Sequence, residues 1–419
     1  MLRGIKVRLY PTQEQIVELN KVLGCYRFVY NHLLSLKQEV YNNDKTNLGL
    51  NELSKYLHGT LYKQEEYSWL NEQNTKVLQQ ALRQMLTAYN NFFKQGKGFP
   101  KFKSKKDKQS ALFPLEAISK TNKFTECKIT LTKSFKDLNF KCSDLYFKRL
   151  QTYKDCIKSA TLSKTKSGNF FLSILIDLPN EEVIKFKQTN DIVGIDLGVK
   201  DFVITSDGEV FENKHFYKSQ EKKIKKLDKQ LSKKVKGSNN REKSRIKLAK
   251  AYERLTNQKE QYLHSVVNVL LSQYDIICME DLNVRGMLKN HKLSKAIQEL
   301  GFSRFKSILE DKSYNNGKRV VFVDRFYPSS KRCSCCGYIH KGLTLRDREW
   351  VCPECGEHHD RDINASINIL MKGERIIGIR DAEYTLVESP TVDDRNKCFL
   401  KSSDSVKQEE EYGKVVNFY

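Results

Sequence analysis

The chain of 419 residues lacks what would tie it to a membrane or an export route. No apolar run approaches the roughly 20 residues that a bilayer-spanning helix needs, and the mean hydropathy is −0.61. The start, MLRGIKVRLYP, has no long apolar core of the kind that marks a secretory signal. A cytoplasmic, nucleoid-associated protein without membrane contact is therefore expected. Acidic residues are also scarce: 51 Asp and Glu face 74 Lys and Arg, a formal charge of +23. Such a surplus points to a polyanion, nucleic acid foremost, although charge can also serve solubility alone. With 39% hydrophobic and 11% aromatic residues, wholesale disorder is excluded. The length exceeds what one core usually spans, so two to four domains are expected. A disulfide framework is missing as well. Cys25, Cys127, Cys142, Cys156, Cys278 and Cys398 stand singly, as reduced and mostly buried thiols do, whereas the other five cysteines crowd into residues 333–355.

The pattern at the start predicts a strand (RGIKVRLY) and then a helix, opened by the capping-box pair Thr12 and Gln15 and running to about Leu36. A second helix is expected over NTKVLQQALRQMLTAYNNFFK, where Leu78, Leu82, Met85, Tyr89 and Phe92 recur every three or four residues. Its opposite face carries Lys76, Gln79, Gln80 and Arg83, side chains able to read base edges or simply to face solvent. Residues 94–108 hold seven Lys and one Asp with Phe99 and Phe102 among them. That mixture fits a nucleic-acid groove, with Lys101 and Lys103 as candidate contacts, or a solvated charge run. Strand patterns follow over 110–180, with a hairpin turn at Lys-Ser-Gly-Asn. Together with the first strand they predict a small β-barrel.

DIVGIDLGVKDFVITSDGEVF predicts three strands. Residues 214–260 carry 17 Lys and Arg against 5 Asp and Glu, and predict two long basic helices broken near residues 237–240. A buried strand (QYDIICMEDL), one helix ended by Gly317, another strand (RVVFVDRFYP) and a last helix complete the order of an RNase H-like fold. The final stretch, 381–419, has nine acidic and five basic residues and is expected to be a flexible tail.

Two constellations carry chemistry. Cys333-x2-Cys336 and Cys352-x2-Cys355, each followed by a glycine, match a four-thiolate zinc ribbon. Tight turns of this kind bring paired thiolates to roughly 3.5–4 Å and leave no open ligand position, so the Zn²⁺ is expected to be structural. Cys335 is the spare; His340, His358 and His359 lie near enough to replace a ligand. The second constellation is acidic. Asp196 sits inside an apolar strand, Glu280 ends another, and Asp362 opens the last helix. A carboxylate in a buried strand is costly unless paired or metal-bound, and three converging ones would repel without cations. Their hard oxygens suit Mg²⁺ or Mn²⁺ in a two-metal phosphodiester hydrolysis. Asp281 and Asp360 are close competitors.

KVRLYPTQEQ, GIDLGVKDFVITSDG, CMEDLNVRGM, FYPSSKRCSCCG, WVCPECGEHHDRDINASINI and SPTVDDRNKCFLKSSDSVKQE resemble signatures of the TnpB (OrfB) family of transposon-encoded RNA-guided DNA endonucleases, relatives of type V CRISPR effectors. The resemblance runs over almost the whole chain. It implies a multidomain α+β protein: a β-barrel wedge domain (1–12 and 94–190), an inserted helical recognition domain (13–93), an RNase H-like (RuvC) α/β nuclease domain (191–330 and 357–380), an inserted zinc ribbon (331–356) and the tail. It implies Asp196, Glu280 and Asp362 as the catalytic acids, the family's Asp-x-Asn-Ala spacing selecting Asp362 over Asp360. It further implies a guide RNA transcribed from the transposon end, a double-stranded DNA target, and one protein copy in the complex.

Overall fold

The computed structural model describes residues 1–118, 127–132, 135–179, 186–291, 293–344 and 347–379. The expected acidic tail and Cys398 lie outside them. The described residues divide into two compact units, one within 1–187, 215–268 and 314–317, the other within 188–214, 269–313 and 318–379.

The first unit opens with β1 (Leu2–Leu9) and α1 (Gln13–Asp44). The expected capping box forms: Gln15 donates its backbone N–H to Thr12 Oγ1 at 3.3 Å, and Thr12 donates its own to Gln15 Oε1 at 2.9 Å. The helix runs past the expected end at Leu36 and stops where Lys45 takes a left-handed φ of 56°. Nothing breaks the backbone sooner, and the ammonium of buried Lys37 is secured by Asn47 and the Leu48 carbonyl. Next come α2 (Leu50–Gly59), two 3₁₀ segments (Leu61–Lys63 and Glu65–Glu72) and α3 (Thr75–Gln95). Asn74 caps α3 by accepting from the N–H groups of Lys76 and Val77, and Gly96 ends it in the left-handed region. Leu78, Leu82, Met85 and Tyr89 are buried as their spacing required, and the helix packs on α1 and α2.

The strands of this unit are β2 (Gln109–Pro114), β3 (Lys128–Ile129), β4 (Leu138–Lys141), β5 (Ile157–Lys164) and β6 (Phe170–Asp177), with α4 (Asp144–Thr152) between β4 and β5. All pair antiparallel in the order β2-β5-β6-β1-β4-β3. The hairpin between β5 and β6 turns through Gly168 at φ 92°, at the expected site. Closing this sheet into the expected barrel would need a β2–β3 pairing, which none of the described residues make. Ile5, Val7 and Leu9 of β1 join Leu172, Ile174 and Ile176 of β6 in the core, so strict alternation puts one face of each strand inside.

The second unit begins with β7 (Ile192–Asp196), β8 (Asp201–Thr205) and β9 (Val210–Glu212). The basic helices follow as α5 (Phe216–Ser232) and α6 (Asn239–Gln273), separated near the expected break. Residues 215–268 group with the first unit. The chain continues with β10 (Ile276–Glu280), α7 (Val284–Met287), α8 (Ser294–Leu300), α9 (Phe302–Asn315) and β11 (Arg319–Val323). It then forms β12 (Glu349–Val351), β13 (His358–Asp360) and α10 (Arg361–Ile376). One helix was expected before β11. Instead Gly301, at φ 73°, terminates α8, and α9 starts on the next residue. The break lets Phe302 stack on Phe202 of β8 at 6.2 Å while Phe305 meets the same ring edge-on at 5.2 Å.

The sheet order is β11-β10-β7-β8-β9, with β11, β10 and β7 parallel and β8 and β9 antiparallel. Helix α10 lies across β7, β10 and β11. Two glycines bring it close. A Cβ on Gly194 of β7 would stand 2.0 Å from the Ser366 carbonyl oxygen, and one on Gly373 of α10 would stand 2.2 Å from Cys278 Sγ. Only hydrogen fits at either crossing.

Candidate functional site

Asp196 ends β7 and Glu280 ends β10, and the two strands are parallel neighbours in register from Ile192↔Ile276 to Ile195↔Met279. The next pair in that register is Asp196 and Glu280, so adjacent strands roughly 4.8 Å apart deliver both carboxylates to one edge. That is the carboxyl edge, where open α/β sheets place their ligands. Asp362 reaches the same edge from the first turn of α10, which Gly194 admits against β7.

The electrostatics follow from this placement. Burial first, then the carboxylates of Glu280 and Asp362, push the Asp196 carboxyl up to about 7, against the Leu197 N–H and Arg361. Burial likewise raises Glu280, opposed by Ser329, whose hydroxyl donates to Glu280 Oε1 at 2.5 Å. Asp362 is paired with Arg348 at 2.9 Å and approaches Arg361 Nε at 3.9 Å.

The two competing acids are engaged elsewhere. Asp281 is clamped by Lys306 at 2.8 Å and Arg325 at 3.0 Å, and the Lys306 hydrogen bond leads in holding its carboxyl below the usual range. Asp360 is the N-cap of α10, accepting from the N–H groups of Asp362 and Ile363 at 2.9 and 3.0 Å. The structure thus brings together Asp196, Glu280 and Asp362.

Residues that the sequence did not single out hold this edge in shape. Buried Asn368 of α10 donates to the carbonyls of Ser329 and Arg332, and buried Asn364 donates to that of Arg332 while accepting from the Ser334 N–H. They pin the loop whose Ser329 touches Glu280. Two asparagines four apart inside an amphipathic helix were the available signal, because such amides are rarely buried without a partner. A cleft of about 310 Å³ opens beside Glu280, with Arg285, Lys306, Arg325 and Ser303 in its wall.

The cysteine cluster forms as its spacing predicts. The thiols of Cys333, Cys336, Cys352 and Cys355 lie within 4.8 Å of one another, the one such group of possible metal ligands among the described residues. Cys333 and Cys355 are 3.6 Å apart, as are Cys336 and Cys352. Each knuckle turns on a left-handed glycine, Gly337 at φ 81° and Gly356 at φ 75°, whose N–H donates to the carbonyl of Cys333 or Cys352. Cys335 stays outside the cluster. Of the three histidines, His359 comes closest, its Nε2 3.0 Å from Cys333 Sγ, and its ring packs on Trp350 at 4.7 Å. Four thiols at these separations suit a tetrahedral, closed zinc site. The three carboxylates do not meet the same 4.8 Å mutual spacing.

The remaining candidates divide by exposure. Lys76, Arg83 and Lys101 are exposed, whereas Gln79 and Gln80 are half-buried on α3. Lys103 folds inward. Its ammonium lies 4.0 Å from the Tyr30 ring centroid and bonds Gln84, and burial lowers it to about 8. Phe99 and Phe102 of the same segment are exposed.

Comparison with known proteins adds family information. A family profile described as "Probable transposase" matches residues 173–291, "Cas12f1-like, TNB domain" matches 302–369, and "Helix-turn-helix domain" matches 1–46. In this chain residues 1–46 hold β1 and the single long α1. A protein of Streptomyces pristinaespiralis named "Putative RNA-guided DNA endonuclease" is 35% identical over 373 residues, 88% of this chain and 89% of its own. InsQ of Escherichia coli (strain K12), which carries the same description, is 27% identical over 393 residues, 90% of this chain and 93% of its own. Among solved structures, one titled "Cryo-EM structure of the Cas12f1-sgRNA-target DNA complex" aligns with a TM-score of 0.55 at 14% identity, over 88% of this chain and 98% of that one. At that identity the likeness is one of fold.

Proposed function

Because the chain belongs to the TnpB (OrfB) family, we propose that it is an RNA-guided DNA endonuclease that hydrolyses phosphodiester bonds at guide-matched sites. The observation that carries the chemistry is the convergence of Asp196, Glu280 and Asp362 on one strand edge, with Asp196 pushed up to about 7 by burial first and then by the other two carboxylates. The strand order β11-β10-β7-β8-β9 with α10 across it supports an RNase H-like (RuvC) nuclease domain. The six-stranded sheet and the helices α1 to α3 correspond to a wedge and a recognition domain.

A partly buried cluster of hard oxygen donors fits Mg²⁺ or Mn²⁺, and the three acids would hold it. Bound there, divalent metal supplies water activation and stabilisation of the leaving oxygen. The protein's own groups do the rest. Ser329 orients Glu280 through its hydrogen bond, and Asn364 and Asn368 fix the loop that carries Ser329. Of the basic residues in the adjacent cleft, Lys306 and Arg325 are tied to Asp281, which leaves Arg285 to meet a phosphate of the strand being cut. Zn²⁺ would be held by Cys333, Cys336, Cys352 and Cys355 in a structural role. Guide RNA transcribed from the transposon end would choose the site by base pairing, while the protein contacts backbone and a short flanking motif. Lys76, Gln79, Gln80, Arg83, Lys101 and Lys103 are the proposed nucleic-acid contacts, in a complex with one protein copy.

The test compares wild type with Asp196→Ala, each copurified with its RNA, on duplex DNA matching the guide, with Mg²⁺ and with EDTA. Only wild type with Mg²⁺ should cut, and the variant should lose about a thousandfold in rate or more. Both should retain DNA equally. Guide-independent cutting would indicate a plain nuclease, joined strands a transferase, and no cutting at all a guided repressor.

A further inference from the structure

A cavity of about 560 Å³ lies in the first unit, outside every residue assigned above, between α1 and the 3₁₀ segment before α3. Its walls are the half-buried ring of Phe28 and the indole of Trp69, 39% exposed, whose centroids stand 5.0 Å apart at an interplanar angle of 65°. The indole is held in place because Trp69 Nε1 donates to the Glu66 carbonyl at 3.1 Å. Arg27 lines the cavity with one guanidinium arm tied to Gln109 Oε1 at 2.5 Å. The rim is an ion pair, Lys21 with Glu72 at 3.6 Å.

Two features show that the space is kept open and polar at one point. Gly24 lines it from the interior of α1, and a Cβ there would meet nothing within 4 Å. A mid-helix glycine weakens its helix and usually has a packing or functional reason. Here no neighbour crowds it, so the lost side chain leaves room in the cavity. The second feature is Gln73. It is only 6% exposed and lines the cavity, and its side-chain amide, unbonded among the described residues, stays within reach of solvent on the cavity side.

The geometry points to a pocket for a single unstacked nucleobase. The partly exposed Trp69 indole, braced edge-on by Phe28, offers one stacking face, Arg27 adds a cationic plane, and the Gln73 amide supplies one donor and one acceptor for a base edge. That the base belongs to a bound guide RNA or target DNA rests on the function proposed above.

Trp69 is one of two tryptophans in the chain, so wild-type emission minus that of Trp69→Phe isolates its signal. Stacking of a base should quench it. The full-length protein is measured free, with adenosine or uridine monophosphate, loaded with copurified RNA, and loaded then mixed with matching duplex. The plugging variant is Gly24→Leu, whose unfolding midpoint should equal or exceed that of wild type; Gln73→Leu removes the amide. Quenching in wild type that disappears in Gly24→Leu, with retention of RNA or DNA weakened about tenfold in both variants, supports the pocket, and the arm that weakens identifies the polymer. Unchanged Trp69 emission in every loaded state, or a Gly24→Leu protein that quenches and binds as wild type does, overturns it. If wild type carries no RNA and cuts nothing, the proposed function fails, while the monophosphate arm still decides the pocket.

Discussion

Gly194→Ala adds one methyl group at the crossing on which the three-acid edge depends. The new Cβ would stand 2.0 Å from the Ser366 carbonyl oxygen, 2.6 Å from the Leu370 nitrogen and 2.8 Å from the Leu370 Cβ. Most of that obstruction is backbone, so no rotamer change relieves it, and α10 must lift by about 1.4 Å to restore ordinary contact. Overpacking of this kind costs about 1–3 kcal/mol. With backbone on both sides the upper end is expected, partly offset by about 0.5–1 kcal/mol for replacing a strand glycine. The functional loss should be larger than the stability loss. Lifting α10 carries Asp362 away from Asp196, and a displacement of about 1 Å in a reacting constellation costs roughly a hundredfold in rate. The assay is guided cleavage with Mg²⁺ alongside denaturant unfolding and DNA retention. Retention should persist. Gly373→Ala is the companion: its Cβ would lie 2.2 Å from Cys278 Sγ and 2.7 Å from Cys278 Cβ. Cys278→Ala removes the nearer atom and should restore part of the stability, whereas no such partner exists for Gly194→Ala. A Gly194→Ala protein that cuts within threefold of wild type with an unchanged unfolding midpoint would refute the reasoning.

Dialysed protein should hold about one zinc per chain, and Cys352→Ser with Cys355→Ser should reduce this below half as measured by elemental analysis. Asp196 is pushed up to about 7, so it is charged above that pH, and proton and metal compete for it below. Between pH 8 and 6, the Mg²⁺ concentration for half-maximal cutting should climb about tenfold per unit once pH falls under 7; a flat dependence would contradict the assignment. Four charge reversals at the exposed Lys222, Lys223, Lys226 and Lys229 of α5 should flatten the log–log salt dependence of nucleic-acid binding by several units, since each phosphate contact contributes about one. Lys318, buried and paired with Asp275 at 2.8 Å, should cost about 3–5 kcal/mol when changed to Met, because a buried carboxylate is left behind. Burial acts to raise Asp275, but Lys318 and the Asn190 and Thr189 N–H groups outweigh it and hold the carboxyl below its ordinary value. That contribution is present above the unfolded-state value of about 4 and is lost as pH falls through the lowered one, so the two proteins should converge in urea midpoint in acid.

Much of the chemistry was readable in the chain itself because it is written in short spacings. The capping box at Thr12 and Gln15, the stripe from Leu78 to Tyr89, the Ser-Gly-Asn hairpin and the two CxxC knuckles each depend on residues within a few positions, whose geometry the backbone dictates locally. Asp196 and Glu280 stood out for a related reason: a carboxylate at the end of an apolar strand is expensive wherever the strand lies. Other features required the fold. The seating of β1 between β6 and β4, with Leu2 opposite Asp177, follows from long-range pairing that no local period encodes. Likewise the capping role of Asp360, whose carboxylate accepts from the N–H groups of Asp362 and Ile363, and the inward fold of Lys103 toward Tyr30 were set by the packed structure. The same holds for Gly194, Asn368 and Gln73, which look unremarkable in sequence. Their meaning comes from what stands within about 4 Å of them, because packing and hydrogen bonding act at contact distance, and contact between remote segments is set only when the chain has folded.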